Sequence, residues 1–129
     1  MSQENVEVVC RMYEAFLRGD QSAIVAGLHP EIEWRSIEDT QTRHGHEGLR
    51  RAWAQFREPW ETFENDMEWT RDAGNEVVSC HRVRARGKGS GIAGELHYAY
   101  VFRFREGKIV HVKSYGEPSE ALEAVGLSA

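Results

Sequence analysis

The chain reads as an α+β domain in which helices cover one face of a curved antiparallel sheet, and three patterns carry that reading. Amphipathic helical spacing is concentrated in the first half and in a short tail. Period-two alternation dominates the second half. Above all, Glu95 to Gly116, ELHYAYVFRFREGKIVHVKSYG, reads as two long strands joined by a Glu-Gly turn. Its rings Tyr98, Tyr100, Phe102 and Phe104 share one face, with His97, Ala99, Val101 and Arg103 on the other, so the strand is half buried against a core or a lined pocket.

Taken in order, Val6, Val9, Cys10, Tyr13, Phe16 and Leu17 recur at three- and four-residue steps and predict a first helix, with Ser2 as N-cap and Gly19 as its stop. Asp20 or Ser22 can cap a second, short helix through Leu28, which His29-Pro30 ends. EIEWRS alternates, placing Ile32, Trp34 and Ser36 on one side of a strand, and a polar loop follows from Ile37 to Gly45. Leu49, Trp53 and Phe56 then mark a third helix from His46 to about Arg57, closed by Pro59.

Phe63, Met67 and Trp69 share parity in the next strand, and a turn at Ala73-Gly74-Asn75 leads into a strand from Val77 to Arg86. The glycine-rich run from Gly87 to Gly94 has no helix after it, so it is a hairpin tip and not a phosphate loop. Pro118 opens a last helix that stops at Gly126.

Composition narrows the function classes. With 129 residues, residues 1–129 form one domain that can bury one core and a modest cavity. A net charge of -5 argues against nucleic-acid binding, which needs a concentrated basic surface. No apolar run is long enough to span a membrane and MSQENVEVV lacks the features of a secretion signal, so the expected location is cytoplasmic. Cys10 and Cys80 lack CxxC spacing and read as buried thiols.

This element order, together with ENVEVVCRMYEAFLRGD, HPEIEWRS, RHGHEGLRRAW, RVRARGKGSG and FREGKIVHVKSYGEPSEALEAVGL, resembles the SnoaL-like, ketosteroid-isomerase-related proteins of the nuclear transport factor 2-like superfamily. The resemblance spans nearly the whole chain. It implies a cone-shaped α+β barrel of the cystatin-like type, with a pocket between helices and sheet, and a homodimer formed through the outer sheet face. It does not fix a reaction, because the fold hosts isomerases, dehydratases, cyclases, epoxide hydrolases and non-catalytic modules.

Position by position, the isomerase's oxyanion tyrosine falls at or near Tyr13, its base aspartate at Ser36, and its protonated aspartate at Tyr100. That mechanism needs both carboxyl groups, so steroid isomerisation is not expected. The Asp-Arg-Asp set of the epoxide hydrolases is missing from the inward positions, whereas the histidines and tyrosines on which the dehydratases rely are present.

His81 shares parity with Val77, Val83 and Ala85 and is the inward group able to titrate near neutrality. It reads either as an acid/base or ligand-binding residue, with Tyr13 and Tyr100 supplying hydroxyls, or as a hydrogen-bonded core histidine. Around it, Phe16, Trp34, Ser36, Trp53, Trp60, Phe63, Val83, Tyr98, Phe102, Val112 and Ser114 are the expected ligand-facing positions. Trp69 is a further aromatic candidate. His44 and His46 could rim the pocket, but His29, His97 and His111 are scattered, so no metal and no cofactor is expected. Arg82, Arg84 and Arg86, opposite Glu64, Asp66 and Glu68, can form cross-strand ion pairs or a polar dimer face. The expected partner is a small hydrophobic or aromatic molecule, handled by cofactor-free acid/base chemistry or simply bound by a non-catalytic module.

Overall fold

The computed structural model describes residues 2–36, 41–89 and 93–127; the side chains of Ser2, Phe56 and Arg57, the start of the expected polar loop and the tip of the glycine-rich hairpin lie outside the described residues. Helix α1 (Ser2–Arg18) buries Val9, Met12 and Ala15; of the expected repeat only Val9 is fully buried, Val6, Cys10, Tyr13 and Phe16 are half-buried, and Leu17 is 57% exposed. It ends where Gly19 takes φ +71°, which lets Gly19 and Asp20 donate to the carbonyls of Phe16 and Ala15 at 3.1 and 2.9 Å. Asp20 then caps α2 (Gln21–Ala26), accepting the Ala23 N–H at 3.1 Å. This helix stops short of Leu28, which already begins β1 (Leu28–Arg35).

Within the stretch expected to be a polar loop, Arg43–His44 form a short strand, β2, beside β1. Helix α3 (Gly45–Arg57) follows, and then β3 (Trp60–Ala73), β4 (Glu76–Gly87), β5 (Ala93–Arg105), β6 (Lys108–Tyr115) and α4 (Pro118–Ala124). The turn between β5 and β6 uses the anticipated Glu-Gly pair, with φ of 55° at Glu106 and 78° at Gly107, the geometry of a two-residue hairpin.

The sheet order is β2-β1-β6-β5-β4-β3. It is mixed and not wholly antiparallel, because β1 runs parallel to β6, with Leu28 beside Ile109 and the Ile109 N–H donating to Gly27 at 3.0 Å. The expected α+β class and curved sheet with N-terminal helices are present. A core cluster on the helix-covered face holds Val9, Leu28, Ile32, Leu49, Val77, Phe102, Phe104, Ile109 and Val112.

Two of the sheet's register shifts, at Glu68 and Val110, change which side chains reach that face. In β3 the register passes from Met67 opposite His81 to Trp69 opposite Cys80, so Glu68 is the extra residue. Trp69 therefore leaves the parity of Phe63 and Met67 and packs on the outer face with Val78, Ala99 and Val101. In β6 the register passes from His111 opposite Arg103 to Ile109 opposite Phe104, skipping Val110. Ile109 is thereby turned into the inner core, not outward as simple alternation predicts.

The outer apolar strip is covered within the chain. Ala121 and Leu122 of α4 lie over Val78, Ala99 and Val101, leaving Ala99 0% and Val101 6% exposed. These residues are therefore not an open apolar surface seeking a second subunit. Beyond α4 the outer face is polar, with the anticipated ion pairs Arg82–Glu68 at 3.3 Å, Arg84–Glu64 at 3.4 Å and Arg84–Asp66 at 3.0 Å.

Candidate functional site

A cavity of about 130 Å³ lies between the helices and the inner sheet face. Its walls include ten of the expected residues: Tyr13 and Phe16 from α1, Trp34 and Ser36 from β1 and its end, Trp53 from α3, Phe63 from β3, His81 from β4, and Tyr98, Tyr100 and Phe102 from β5. The period-two pattern of β5 thus stacks three rings along one wall. Edge contacts with neighbouring rings hold Trp34 in place, at 5.6 Å from Tyr100 and 6.4 Å from Trp53 between centroids.

Four expected positions lie outside the cavity wall. Val112 is fully buried in the core cluster, Val83 and Ser114 are buried elsewhere beneath the sheet face, and Trp60, the first residue of β3, is half-buried beside Gly87. Parity puts a side chain on a face of the sheet, but distance along the strand decides whether it reaches the cavity. His44 is exposed beside Glu33 at 3.5 Å, and His46 Nε2 binds the Leu28 carbonyl at 3.1 Å; neither borders the cavity. Cys80 is buried as expected, whereas Cys10 is only partly so.

His81 sits at the polar end of this chamber, 4% exposed. Its Nδ1 lies 2.9 Å from Asn65 Oδ1 and its Nε2 2.7 Å from Ser79 Oγ. Because an amide oxygen can only accept, Nδ1 carries the proton and Nε2 accepts from the Ser79 hydroxyl. The ring stacks on Tyr98 at 5.7 Å and meets Tyr100 edge-on at 5.3 Å. Burial away from water, only partly offset by the Glu68 charge, pushes the imidazole down to about 4, so it is neutral at physiological pH.

Asn65 is the residue that sequence reasoning passed over. Its backbone carbonyl accepts from the Tyr13 hydroxyl at 2.5 Å while its side chain orients His81. The same Tyr13 oxygen accepts the Met67 N–H at 3.1 Å, fastening α1 to β3. Its parity with Phe63 and Met67 was the available signal. Ser79 was legible in the same way, being two residues from His81 on β4.

The wall also offers the Tyr98 and Tyr100 hydroxyls, 3.4 Å apart, and Arg43, whose guanidinium donates to Gln55 at 3.1 Å. A second recess of about 300 Å³ shares Tyr13, Phe16, Phe63 and Asn65 and adds the exposed Leu17, Glu64 and Asp66. This recess lies beside the chamber, between α1 and β3. Chemically it can hold an apolar ring and present hydroxyl, amide and imidazole groups to a polar substituent.

The sequence profile of the SnoaL-like domain matches residues 9–112. Among solved structures, an NTF2-like protein from Burkholderia thailandensis is 25% identical, with 91% of this chain and 95% of that one covered and a TM-score of 0.80. A candidate SnoaL-like polyketide cyclase from a Jannaschia species is 18% identical over 88% of this chain and 85% of that one, at TM-score 0.79. A protein of ketosteroid isomerase-like fold from Catenulispora acidiphila, bound to trimethylamine, is 19% identical over 94% and 93%, at TM-score 0.76. Comparison with curated proteins finds no match. With the profile running from the middle of α1 to the last strand, and the helix-backed sheet shared with these structures, the chain belongs to the SnoaL-like domain family.

Proposed function

We propose that this SnoaL-like domain binds a small planar molecule, of about one aromatic ring, in its cone, with a polar substituent turned toward Tyr98, Tyr100, Asn65 and His81. The carrying observation is the cavity itself: about 130 Å³ walled mainly by rings, with polar groups converging at one end. An engineered apolar cavity of ~150 Å³ admits benzene, so one ring is the matching scale. A fused four-ring skeleton exceeds it.

Cofactor-free acid/base chemistry of the isomerase, cyclase or dehydratase type is the second reading, favoured by the histidine between tyrosines. Binding comes first, because both His81 nitrogens are occupied by protein groups and the imidazole is a weak base there. If turnover occurs, the tyrosine hydroxyls are the groups placed to donate to a developing oxyanion.

Titration with substituted phenols and single-ring ketones, followed by the fluorescence of Trp34 and Trp53, tests the proposal. Saturable quenching by one-ring ligands and none by a four-ring steroid is expected. Equal binding of both sizes, or of neither, overturns it.

A further inference from the structure

The outer face of the sheet carries a cluster that lies apart from the cone. Glu68 on β3, Cys80 on β4 and His97 on β5 bring a carboxylate oxygen, a thiol sulfur and an imidazole nitrogen within 4.8 Å of one another. The individual separations are 2.6 Å from His97 Nε2 to Glu68 Oε1, 3.2 Å from Nε2 to Cys80 Sγ, and 3.9 Å from Sγ to Oε1. We propose that these three side chains form a binding site for a divalent transition-metal ion of the zinc class, with a remaining position left to water.

Convergence on one atom supports this. In a cysteine–histidine–carboxylate relay, thiol and carboxylate use opposite ring nitrogens, whereas here both meet Nε2. Without an ion the Nε2–H and the thiol both turn to the same Glu68 oxygen, at 2.6 and 3.9 Å; an ion taking the place of the thiol and imidazole protons would hold all three atoms at once. A tetrahedral ion with the usual zinc bond lengths needs ligand atoms about 3.4–3.6 Å apart. All three separations lie within about 0.8 Å of that range, and the largest change, a widening between Glu68 and His97, can come from the His97 side chain, which is 47% exposed.

Glu68 is also held for the purpose. Arg82 Nη2 binds its other oxygen, Oε2, at 3.3 Å and is itself anchored by Glu95 at 3.3 Å, so Oε1 is left pointing at His97 and Cys80. The β3 bulge is what brings Glu68 and Cys80 together on this face. Thiolate, imidazole and carboxylate together suit zinc, cobalt and nickel and disfavour magnesium and calcium.

Cobalt(II) added to reduced, metal-stripped protein tests the site, because thiolate coordination produces a near-ultraviolet charge-transfer band. One equivalent of cobalt should develop the band fully, zinc should bleach it, and magnesium should leave it unchanged. Cys80→Ser and His97→Ala should each lose it, the latter at an exposed position where the fold is retained, and Cys10→Ser should keep it. No band in the parent protein, a band that survives His97→Ala, or a band lost in Cys10→Ser overturns the proposal. None of these outcomes bears on ligand binding in the cone.

Discussion

His81 Nδ1 stands 2.9 Å from Asn65 Oδ1, so the imidazole at the polar end of the cavity is tied to the strand that also receives the Tyr13 hydroxyl. A single residue of β3 thus couples helix α1, the sheet and the cavity wall. Replacing His81 by Ala should cost about 1–3 kcal/mol, because Asn65 and Ser79 lose a buried partner. Thermal unfolding reads this as a drop of about 3–5 °C per kcal/mol for a chain of this length. An unchanged melting temperature with lost ligand binding would make His81 a ligand contact and not a structural member.

Acid should erase that contribution. The folded pKa of His81 is lowered from 6.5 to about 4, so between those values the unfolded chain binds a proton that the native chain refuses. Its stabilisation, roughly 3 kcal/mol at most, is therefore complete above pH 6.5, falls as the pH drops toward 4, and levels off below. The difference in unfolding free energy between the parent and His81→Gln, measured at about pH 7.5 and about pH 4.5, should shrink in acid. A difference that stays constant removes the neutral-histidine account.

Tyr13→Phe should destabilise by about 1–3 kcal/mol, since the Asn65 carbonyl and the Met67 N–H lose the hydroxyl that joins them. Chemical denaturation measures it. The cavity keeps its ring at this position, so one-ring ligands should still bind the folded protein.

Ala52 borders the cavity from α3. Ala52→Leu should fill part of the chamber and weaken one-ring ligand binding at least tenfold, with stability changed by less than about 1.5 kcal/mol. Undiminished affinity would place the ligand elsewhere.

No steroid isomerisation above the buffer rate is expected. Ser36 and Tyr100 line the cavity, at the positions that by the resemblance would carry the carboxyl groups this chemistry needs, and the cavity of about 130 Å³ does not admit four fused rings. A spectrophotometric assay for the conjugated ketone checks it; efficient turnover would refute both arguments.

If the homodimer that the resemblance implies forms through the outer sheet face, the surface open to it is the ion-paired one, because α4 covers Ala99 and Val101. Light scattering at micromolar concentration should show a dimer that dissociates as salt is raised, because exposed ion pairs are screened. A monomer at low salt, or a dimer indifferent to salt, would reject this surface.

Sequence alone determined what depends on local chemistry. The helix limits follow from Gly19 and Asp20, the hairpin from Glu106-Gly107, and the aromatic wall from the alternation of Tyr98, Tyr100 and Phe102. His81 was also legible as an inward residue, because its parity with Val77 holds along an unbroken strand. Tertiary structure decided the rest. One extra residue at Glu68 moved Trp69 to the outer face, and another at Val110 turned Ile109 inward. A bulge is a mismatch in length between paired strands, so neither strand shows it by itself. The same holds for the partners of His81 and for the Glu68, Cys80 and His97 cluster, whose members lie on different strands and meet only when register is fixed. Alternation assigns a side chain to a face, but only the pairing of strands sets how far along that face it stands and which group it touches.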